Sequence, residues 1–364
     1  MVFVEVLVEV VSALAKAIAL GVILSIYSGM DPSMDGPDGV QTNHVNGRLE
    51  VLTAVLNPEN LVVGSHLTNE VKHHAQKSFE ADDIIGVLID EKLGGFANKT
   101  FNAVPMNPST HETWRKKVTE PIIHDYLAPG ISKENVTLIF TIIPFYEYND
   151  TTRPNCFAVV VLAMNISSSI IHYTIKGLIP NPPKAEMSEA IVPYLYKTGN
   201  ITAQGDQHCI YLTVEAGENQ LEDRVEMITI QFNASDISPC RKIDGKRNEV
   251  QLRKNDVQSL LISEKFGGRP DDPFNVVPMH PSAVRELKTR VEQPIIDYIK
   301  STKDIPDAIV WLNMMLIYSD SLATRPAGFV VRSSIKTGKL FDPMYIPNTG
   351  KIINAKKLPL NKNI

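Results

Sequence analysis

One thirteen-residue phrase occurs twice in this chain, and it constrains the fold more than any other feature. DIIGVLIDEKLGG begins at Asp83 and returns as DVQSLLISEKFGG at Asp256. Aligned without a gap, segments 83–123 and 256–296 share 18 identical residues in 41 positions. A repeat of this length indicates one structural unit that is present twice, here a duplicated domain of roughly 130 residues.

The repeat divides the 364-residue chain into two similar copies with connecting and terminal segments. Sequence rich in proline and polar residues lies between the copies and is typical of a linker. The predicted divisions are a hydrophobic N-terminal segment 1–29, a linker 30–45, copy 1 at 46–178, a proline-rich linker 179–206, copy 2 at 207–345 and a basic tail 346–364.

Each copy has the same predicted order of elements. Apolar alternation predicts a first strand, and a Gly-Gly pair later ends a short element, because a residue without Cβ can take a positive φ. A helix follows the Phe-Asn-x-Val-Pro-Met loop, and two β-rich segments close the copy. The predicted strands are 49–56, 136–146 and 157–164 in copy 1, and 225–232, 308–318 and 329–335 in copy 2. The fold class is α+β, a tandem duplication with an antiparallel sheet and helices.

The helix after this loop carries two local signals. In copy 1, Ser109-Thr-His-Glu112 has the form of a capping box, which predicts that the helix begins after Ser109. Pro121 and Pro294 fall late in the two helices. Each should end or kink its helix, because proline removes a backbone hydrogen bond and its ring clashes with the preceding turn.

The order of these motifs resembles the DNA/RNA non-specific endonucleases of the ββα-metal, or His-Me finger, type, and especially their small secreted or toxin-type branch. The resemblance rests on the Asp-to-Gly-Gly phrase, on the Asn-x-Val-Pro-Met loop and on an Arg-Pro pair at Arg153 and Arg325. It covers about 46–175 and 222–345. It implies the ββα-metal fold in both copies.

The resemblance also implies which residues would do chemistry. Family members use a histidine as the general base that activates water, and an asparagine that holds one divalent cation, usually Mg²⁺. Placed by the motifs, the histidine position is Val87 in copy 1 and Leu260 in copy 2, and the asparagine position is His111 and Val284. The hydrocarbon side chains cannot accept a proton or bind a metal ion, and the His111 imidazole could bind a metal but is poorly matched to Mg²⁺. We therefore expect no catalytic residue and no cofactor.

Other residues of the family signature remain in the sequence. Asp83, Gly86 and Asp256, together with the exchanged positions Val87 and Leu260, are interpreted as vestigial. The asparagines of the two loops are expected to bond to the backbone in turns, and the arginines are expected to brace the sheet, although each could contact a ligand instead. The candidate binding residues of this remnant cleft are Asn102, His111, Arg153, Asn275 and Arg325.

Three functions remain open at this stage. The first is a catalytically inactive nuclease-like protein that acts by binding a partner protein or, weakly, a nucleic acid; the net charge of −5 slightly favours a protein. The second is a residual metal-dependent endonuclease, with Mg²⁺, that uses relocated histidines from among His73, His74, His111 and His124. The third is a structural or storage-type secreted protein.

The compartment is predicted from the N-terminus and from glycosylation sequons. Segment 17–29 is uncharged and has the length of a signal-peptide core, although Glu5 and Glu9 precede it where a signal is normally positive. A cleaved signal and a membrane anchor both remain open, and we expect a secreted or secretory-pathway protein, with a membrane-anchored one as the alternative. The candidate glycosylation sites are Asn98, Asn135, Asn149, Asn165, Asn200 and Asn233.

The cysteine count fits this compartment without proving it. The chain has three cysteines, Cys156, Cys209 and Cys240. One bridge is possible, with Cys209–Cys240 as the first choice and one thiol left over. No CxxC motif or Cys/His cluster suggests a metal site.

Overall fold

The computed structural model describes the following residues: 40–45, 48–56, 64–127, 136–147, 151–165, 170–182, 196–198, 201–205, 209–214, 224–233, 252–302, 305, 308–335 and 338–349. The predicted N-terminal segment 1–29 and most of the basic tail 346–364 lie outside them. Within the described residues, no helix combines the length and the apolar composition that crossing a membrane requires.

Copy 1 begins with a strand pair and ends with three long strands. Its described elements are β1 Val40–Val45, β2 Arg48–Leu56, α1 Asn69–Gln76, β3 Ile84–Val87, β4 Ala103–Met106, α2 Pro108–Trp114, α3 Glu120–Leu127, β5 Val136–Phe145, β6 Cys156–Asn165 and β7 Ile170–Pro180. A π-helical segment, Arg115–Thr119, joins α2 to α3. Two short strands, β8 Tyr196–Thr198 and β9 Ile201–Gly205, follow copy 1.

Copy 2 repeats most of this order. Its described elements are β10 Cys209–Val214, β11 Arg224–Asn233, β12 Val257–Leu260, β13 Val276–Met279, α4 Pro281–Glu286, α5 Gln293–Thr302, β14 Ile309–Ile317, β15 Gly328–Ile335 and β16 Gly338–Pro347. The π-helical segment Leu287–Glu292 joins α4 to α5. Each copy therefore contains a hairpin followed by a helix, the ββα arrangement.

One antiparallel sheet of 12 strands runs through both copies. Its order is β1-β2-β5-β6-β7-β9-β10-β11-β14-β15-β16, with β8 paired to β7. The equivalent sets β1-β2-β5-β6-β7 and β10-β11-β14-β15-β16 are joined through β9. The pairs β3–β4 and β12–β13 form separate two-stranded sheets. The predicted α+β class with antiparallel sheet is confirmed.

The six predicted strands are present, and each end differs from its prediction by one residue at most. The predicted linkers are wrong in part. Strand β1 lies in segment 30–45 and pairs with β2, β8 and β9 lie in segment 179–206, and β16 extends past residue 345. Strand β1 was not predicted because its sequence, VQTNHV, is mostly polar and lacks apolar alternation. It lies at the edge of the sheet.

Three groups of buried apolar residues form the interior. One lies between the copy 1 strands and helices and includes Leu52, Trp114 and Phe157, and a second fills the same place in copy 2. The third contains strand residues of both copies, such as Val51 and Met315. Since successive side chains of a strand point to opposite faces, Leu52 belongs to the copy 1 group and Val51 to the group shared by both copies. The halves of the sheet thus pack face to face, with the helices outside.

Buried ion pairs cross this interface in both directions. Lys176 Nζ of β7 lies 2.6 Å from Glu226 Oε2 of β11, and both side chains are 3% exposed. In return, Glu50 of β2 pairs with Lys339 of β16. Glu50 and Glu226 occupy the same place in the repeated sequences Arg-Leu-Glu and Arg-Val-Glu. Each copy therefore binds a lysine of the other copy through the same glutamate position.

Neither predicted proline ends its helix, so that part of the prediction is wrong. The helices continue past Pro121 to Leu127 and past Pro294 to Thr302. In each case a π-helical segment directly precedes the last α-helical part. A proline lacks an N–H, and its ring clashes with the carbonyl four residues before it. The wider π turn displaces that carbonyl, so the helix proceeds.

The cap of the copy 1 helix lies two residues before the predicted one. Asn107 is the N-cap; its Oδ1 accepts a hydrogen bond from Ser109 N at 2.9 Å, and Pro108 follows at the first helical position. The predicted Ser109 capping box is therefore wrong, and Glu112 instead pairs with Arg115. An Asn-Pro dipeptide is itself a helix-start signal, because proline has no N–H to lose there.

Candidate functional site

The asparagine of the Phe-Asn-x-Val-Pro-Met loop makes structural contacts in each copy. Asn102 Oδ1 accepts from Ile89 N at 2.8 Å, and its Nδ2 donates to Ile89 O at 2.9 Å. Asn275 makes the same two bonds to Ile262, at 2.7 and 3.0 Å. Asn102 is 1% exposed and Asn275 is 0% exposed. Both amides therefore clamp the loop backbone, and neither reaches the surface.

The Gly-Gly pair needs both of its glycines, for different reasons. Gly94 and Gly267 have φ values of 83° and 82°, which confirms the predicted positive φ. A Cβ on Gly95 would lie 1.8 Å from Ile89 O, and one on Gly268 would lie 2.0 Å from the equivalent carbonyl of Ile262. The first glycine permits the left-handed backbone, and the second permits the close approach of two backbone segments.

The aspartate that opens each phrase pairs with the arginine of the Arg-Pro motif. Arg153 Nε and Nη2 donate to the two carboxylate oxygens of Asp83 at 2.6 and 2.8 Å. Arg325 makes the same bidentate contact to Asp256 at 2.6 and 2.7 Å. Burial works against ionisation of Asp256, but the bonds from Arg325 hold its pKa below its ordinary value. These pairs tie the start of the hairpin to the loop before β6 or β15.

In copy 2 the two positions to which the sequence resemblance assigns chemistry lie together. Leu260 and Val284 line the same cavity, of about 30 Å³. Most of its other lining residues are apolar, and Lys288 and Glu292 supply the charges. A space of this size admits one or two water molecules. Burial raises the pKa of Glu292, while Lys265 and Lys288 act against that rise.

The residues that line this cavity do not fit the family's metal ion. Val284 has no donor atom, and nothing in the lining replaces the asparagine amide with a set of oxygen ligands of the kind that Mg²⁺ prefers. In copy 1, Val87 ends β3 and is half-buried, and His111 is half-buried on α2, which contacts β3. A single imidazole is a poor ligand for Mg²⁺.

The other histidines of the second hypothesis lie elsewhere. His73 and His74 are exposed on α1, and the His124 side chain is 85% exposed with Nδ1 2.9 Å from Asp125 Oδ1. Across the described ranges, no group of three or more His, Cys, Asp or Glu side chains is placed to hold a metal ion.

Exposed cations surround the copy 2 cavity. Lys288 lines it, Lys265 lies near enough to affect the pKa of Glu292, and Arg285 precedes Lys288 by three residues on the helix. All three are exposed. Residues three apart are neighbours on a helix surface. The mouth of the cavity, defined here as Lys265, Arg285 and Lys288, is therefore basic.

The matching surface of copy 1 is neutralised. Arg115 stands at the position of Lys288, and it pairs with Glu112 at 2.8 Å and with Glu120. In copy 2 these acidic positions are Arg285 and Gln293. This difference was not predicted from the sequence. Comparison of charges at matched positions of the aligned repeat, rather than identities alone, would have found it.

The predicted modification sites are described in part. Asn98 is exposed, in a turn just before Thr100, the third residue of its sequon. Asn165 and Asn233 are the last residues of β6 and β11. The remaining candidates, Asn135, Asn149 and Asn200, lie outside the described residues.

The cysteines differ in state. Cys209 is disulfide-bonded, and Cys240, its predicted partner, lies outside the described residues. Cys156 is a free thiol, and burial raises its pKa to about 12. A thiol with so high a pKa is unreactive at neutral pH.

Comparison with known proteins gives distant and partial likenesses. No family model matches this chain, and no curated protein matches it. The crystal structure of NucA from Streptococcus agalactiae with no metal bound is similar at 14% identity over 41% of this chain and 83% of that chain, with a TM-score of 0.26. The structure of Sda1 nuclease with bound zinc ion is similar at 15% identity over 46% and 85%, with a TM-score of 0.27.

Proposed function

We propose that this chain is a catalytically inactive, nuclease-like tandem protein that acts by binding an anionic partner. The observation that carries the proposal is the cavity of about 30 Å³ in which Leu260 and Val284 lie together. Phosphodiester hydrolysis needs a base for water and a charge that stabilises the leaving oxygen. Two hydrocarbon side chains supply neither. In copy 1, the Val87 side chain likewise supplies no base.

The anionic character of the partner is inferred from the basic mouth of copy 2. Lys265, Arg285 and Lys288 are exposed beside a cavity that is itself too small to hold a partner. Their charge therefore acts on a surface contact rather than on a pocket ligand. Glu292 also lines this cavity, and its partial burial raises the pKa of its carboxyl.

Binding is tested by gel-shift titration of single- and double-stranded DNA and RNA at low salt. The expected result is a shift that weakens steeply as salt rises, because phosphate contacts release counterions. The variant Lys265→Glu/Lys288→Glu should abolish the shift. The matched control Lys116→Glu/Lys117→Glu reverses two exposed lysines of copy 1 and should retain it.

A second arm separates nucleic acid from an acidic protein. If nucleic acid gives no shift at micromolar protein, the same variants are measured against a polyglutamate peptide. Binding of that peptide, lost in Lys265→Glu/Lys288→Glu alone, supports an acidic protein partner. Absence of binding to both polyanions overturns the proposal.

Catalytic inactivity is tested separately. Plasmid DNA and RNA are incubated with the full chain and Mg²⁺, Mn²⁺ or Zn²⁺, with His111→Ala as the control variant. We expect no cleavage above a protein-free sample. Metal-dependent cleavage that disappears in His111→Ala would establish the residual endonuclease instead.

One observation favours the structural alternative. Apolar residues of both copies are buried against each other at the interface between the sheet halves, so the doubled scaffold packs against itself. The cavity beside Leu260, however, is lined by β12 and by the helix of copy 2, on the opposite side of the sheet from that interface. The inter-copy contact leaves this side uncovered, which is why binding is preferred.

We infer a secretory route for the protein from two features of the described residues. The sequon residue Asn98 is exposed, and Cys209 is disulfide-bonded, a state that persists in oxidising compartments. A membrane-anchored form would share both features.

A further inference from the structure

A second small cavity lies at the interface between the two copies. Its volume is about 20 Å³, and it is distinct from the cavity beside Leu260. Copy 1 contributes residues of β5, and copy 2 contributes residues of β11, β14 and β15. The lining consists of Thr141, Ile143, Met227, Asn313, Met315, Val330 and Arg332.

Two polar atoms of this lining are buried without a partner. Thr141 Oγ1 and Asn313 Nδ2 make no hydrogen bond to any of the described residues, and the two residues are 3% and 7% exposed. The other end of the Asn313 amide is occupied, since its Oδ1 accepts from Thr229 Oγ1 at 2.8 Å. That bond orients the amide and leaves Nδ2 as the free donor. Native proteins rarely leave such atoms unsatisfied.

The two atoms belong to equivalent positions of the repeat. Thr141 precedes Tyr146 by five residues, as Asn313 precedes Tyr318. The tyrosines are equivalent by their contacts, because Tyr146 Oη donates to Leu49 O and Tyr318 Oη donates to Val225 O. The cavity therefore lies where the two copies meet through the same strand position.

We propose that this cavity binds one water molecule, which accepts a hydrogen bond from Asn313 Nδ2 and donates one to Thr141 Oγ1. A cavity needs roughly 10–15 Å³ by the same measure to hold a water, so 20 Å³ admits one molecule and excludes two. Water suits this pair because it both accepts and donates, and the threonine hydroxyl can accept.

A halide-sized anion fits the charges of the site less well. The Arg332 guanidinium lines the cavity, but it already interacts electrostatically with the Glu50 carboxylate. Its charge is thus compensated by the protein itself, and a neutral guest is the simpler match. The water bridges the two copies at a point where apolar contacts surround it, so a slip of one sheet half against the other would break both of its bonds.

The direct test is a high-resolution crystal structure of the full chain, with a second crystal soaked in bromide. We expect one density peak within hydrogen-bonding distance of both Thr141 Oγ1 and Asn313 Nδ2, with no anomalous signal after the soak. An anomalous bromide peak at that place overturns the assignment as water in favour of an anion. An empty cavity overturns the site.

The energetic test is a double-mutant cycle of Thr141→Val and Asn313→Leu, read by urea denaturation. The two side chains share no direct hydrogen bond, so a bound water is what couples their effects. We expect Thr141→Val to raise the unfolding equilibrium constant about five-fold, and to have little effect when Asn313→Leu is already present. Thr141→Ser keeps the hydroxyl and should keep the coupling. Independent effects, with Thr141→Val neutral or stabilising, overturn the proposal.

Discussion

Replacement of Arg153 by methionine should lower the free energy of unfolding of copy 1 by about 3–5 kcal/mol, the usual cost of removing one partner of a buried ion pair. The arginine side chain is 7% exposed, and Asp83 opposite it is 0% exposed. Besides its two bonds to Asp83, Arg153 donates to the carbonyls of Pro154, Asn181 and Pro182. It therefore joins β3, the loop before β6 and the end of β7.

The two halves of the pair should not be equivalent. In Arg153→Met, the buried carboxylate of Asp83 keeps the N–H of Glu80, at 2.9 Å, as its remaining described donor. The carbonyls of Asn181 and Pro182 lose the donor described for them, whereas Pro154 O keeps Asn181 Nδ2 at 2.6 Å. In Asp83→Asn, the guanidinium keeps those three carbonyls as acceptors. The second variant should therefore cost less, about 1.5–3 kcal/mol, which is typical of hydrogen bonds to charged groups.

The chain offers its own reporter for this measurement. It has two tryptophans, and Trp114 lies in the core of copy 1, 2% exposed, with Nε1 donating to Leu88 O at 3.1 Å. In a Trp311→Phe background, urea denaturation followed by fluorescence reports the unfolding of the core around Trp114 in copy 1.

The matched control is Arg325→Met in copy 2. Arg325 makes two bonds to Asp256 and one to Pro326 O, fewer than Arg153, so its loss should shift the Trp114 transition less. The reasoning fails if Arg153→Met costs under about 1 kcal/mol, the value of an exposed pair. It also fails if Asp83→Asn proves the more damaging change.

Three further outcomes are expected. Burial lowers the pKa of Lys176 to about 8, against the opposing effect of Glu226. At this lysine the unfolded state then binds more protons between pH 8 and the ordinary pKa of 10.5, so over that range the free energy of unfolding of the natural chain should rise relative to that of Lys176→Met. Gly95→Ala and Gly268→Ala should each cost about 1–3 kcal/mol by overpacking, seen as lower melting temperatures. Gly86→Ala should cost less, because its Cβ meets the flexible side chain of Met106. In a eukaryotic secretory host, Asn98→Gln should run faster on a gel than the natural chain by the mass of one glycan, and glycosidase treatment should remove that difference. Equal mobility before treatment would argue against use of that sequon.

The strands of the sheet could be predicted from the sequence where their side chains are buried. Strands such as β5 and β14 carry long apolar runs, because both of their faces pack against other layers, and their bounds followed directly from the sequence. Strand β1 is polar and pairs on one side, so its order depends on its partner and not on its own pattern. The contact of β9 with β7 and β10 depends likewise on which edges meet, and no local pattern encodes that.

The contacts of the candidate site could not be predicted from the sequence, and the loss of its catalytic residues stays a prediction. Alignment of the two copies is sufficient to place hydrocarbon at positions 87, 260 and 284. It could not show that Arg153 is fully engaged with Asp83, because ion pairs between distant segments depend on the fold. The π-helical turns before Pro121 and Pro294 were equally out of reach, since proline alone predicts a break and does not show how the chain absorbs it.

The interface between the copies gives a physical reason why the strands of both copies hold together. Val51, Met315 and their neighbours are buried only because the other copy covers them, and Glu226 is ion-paired with Lys176 from the opposite copy. Loss of either copy would expose that apolar face and leave buried charges without partners, both of which cost stability. The strands and the Asp–Arg pairs are thus held by this packing, to which Val284 also contributes from the helix side of copy 2. Neither Val87 nor Leu260 belongs to the interface group that joins the copies, so exchange of either side chain should leave that interface in place.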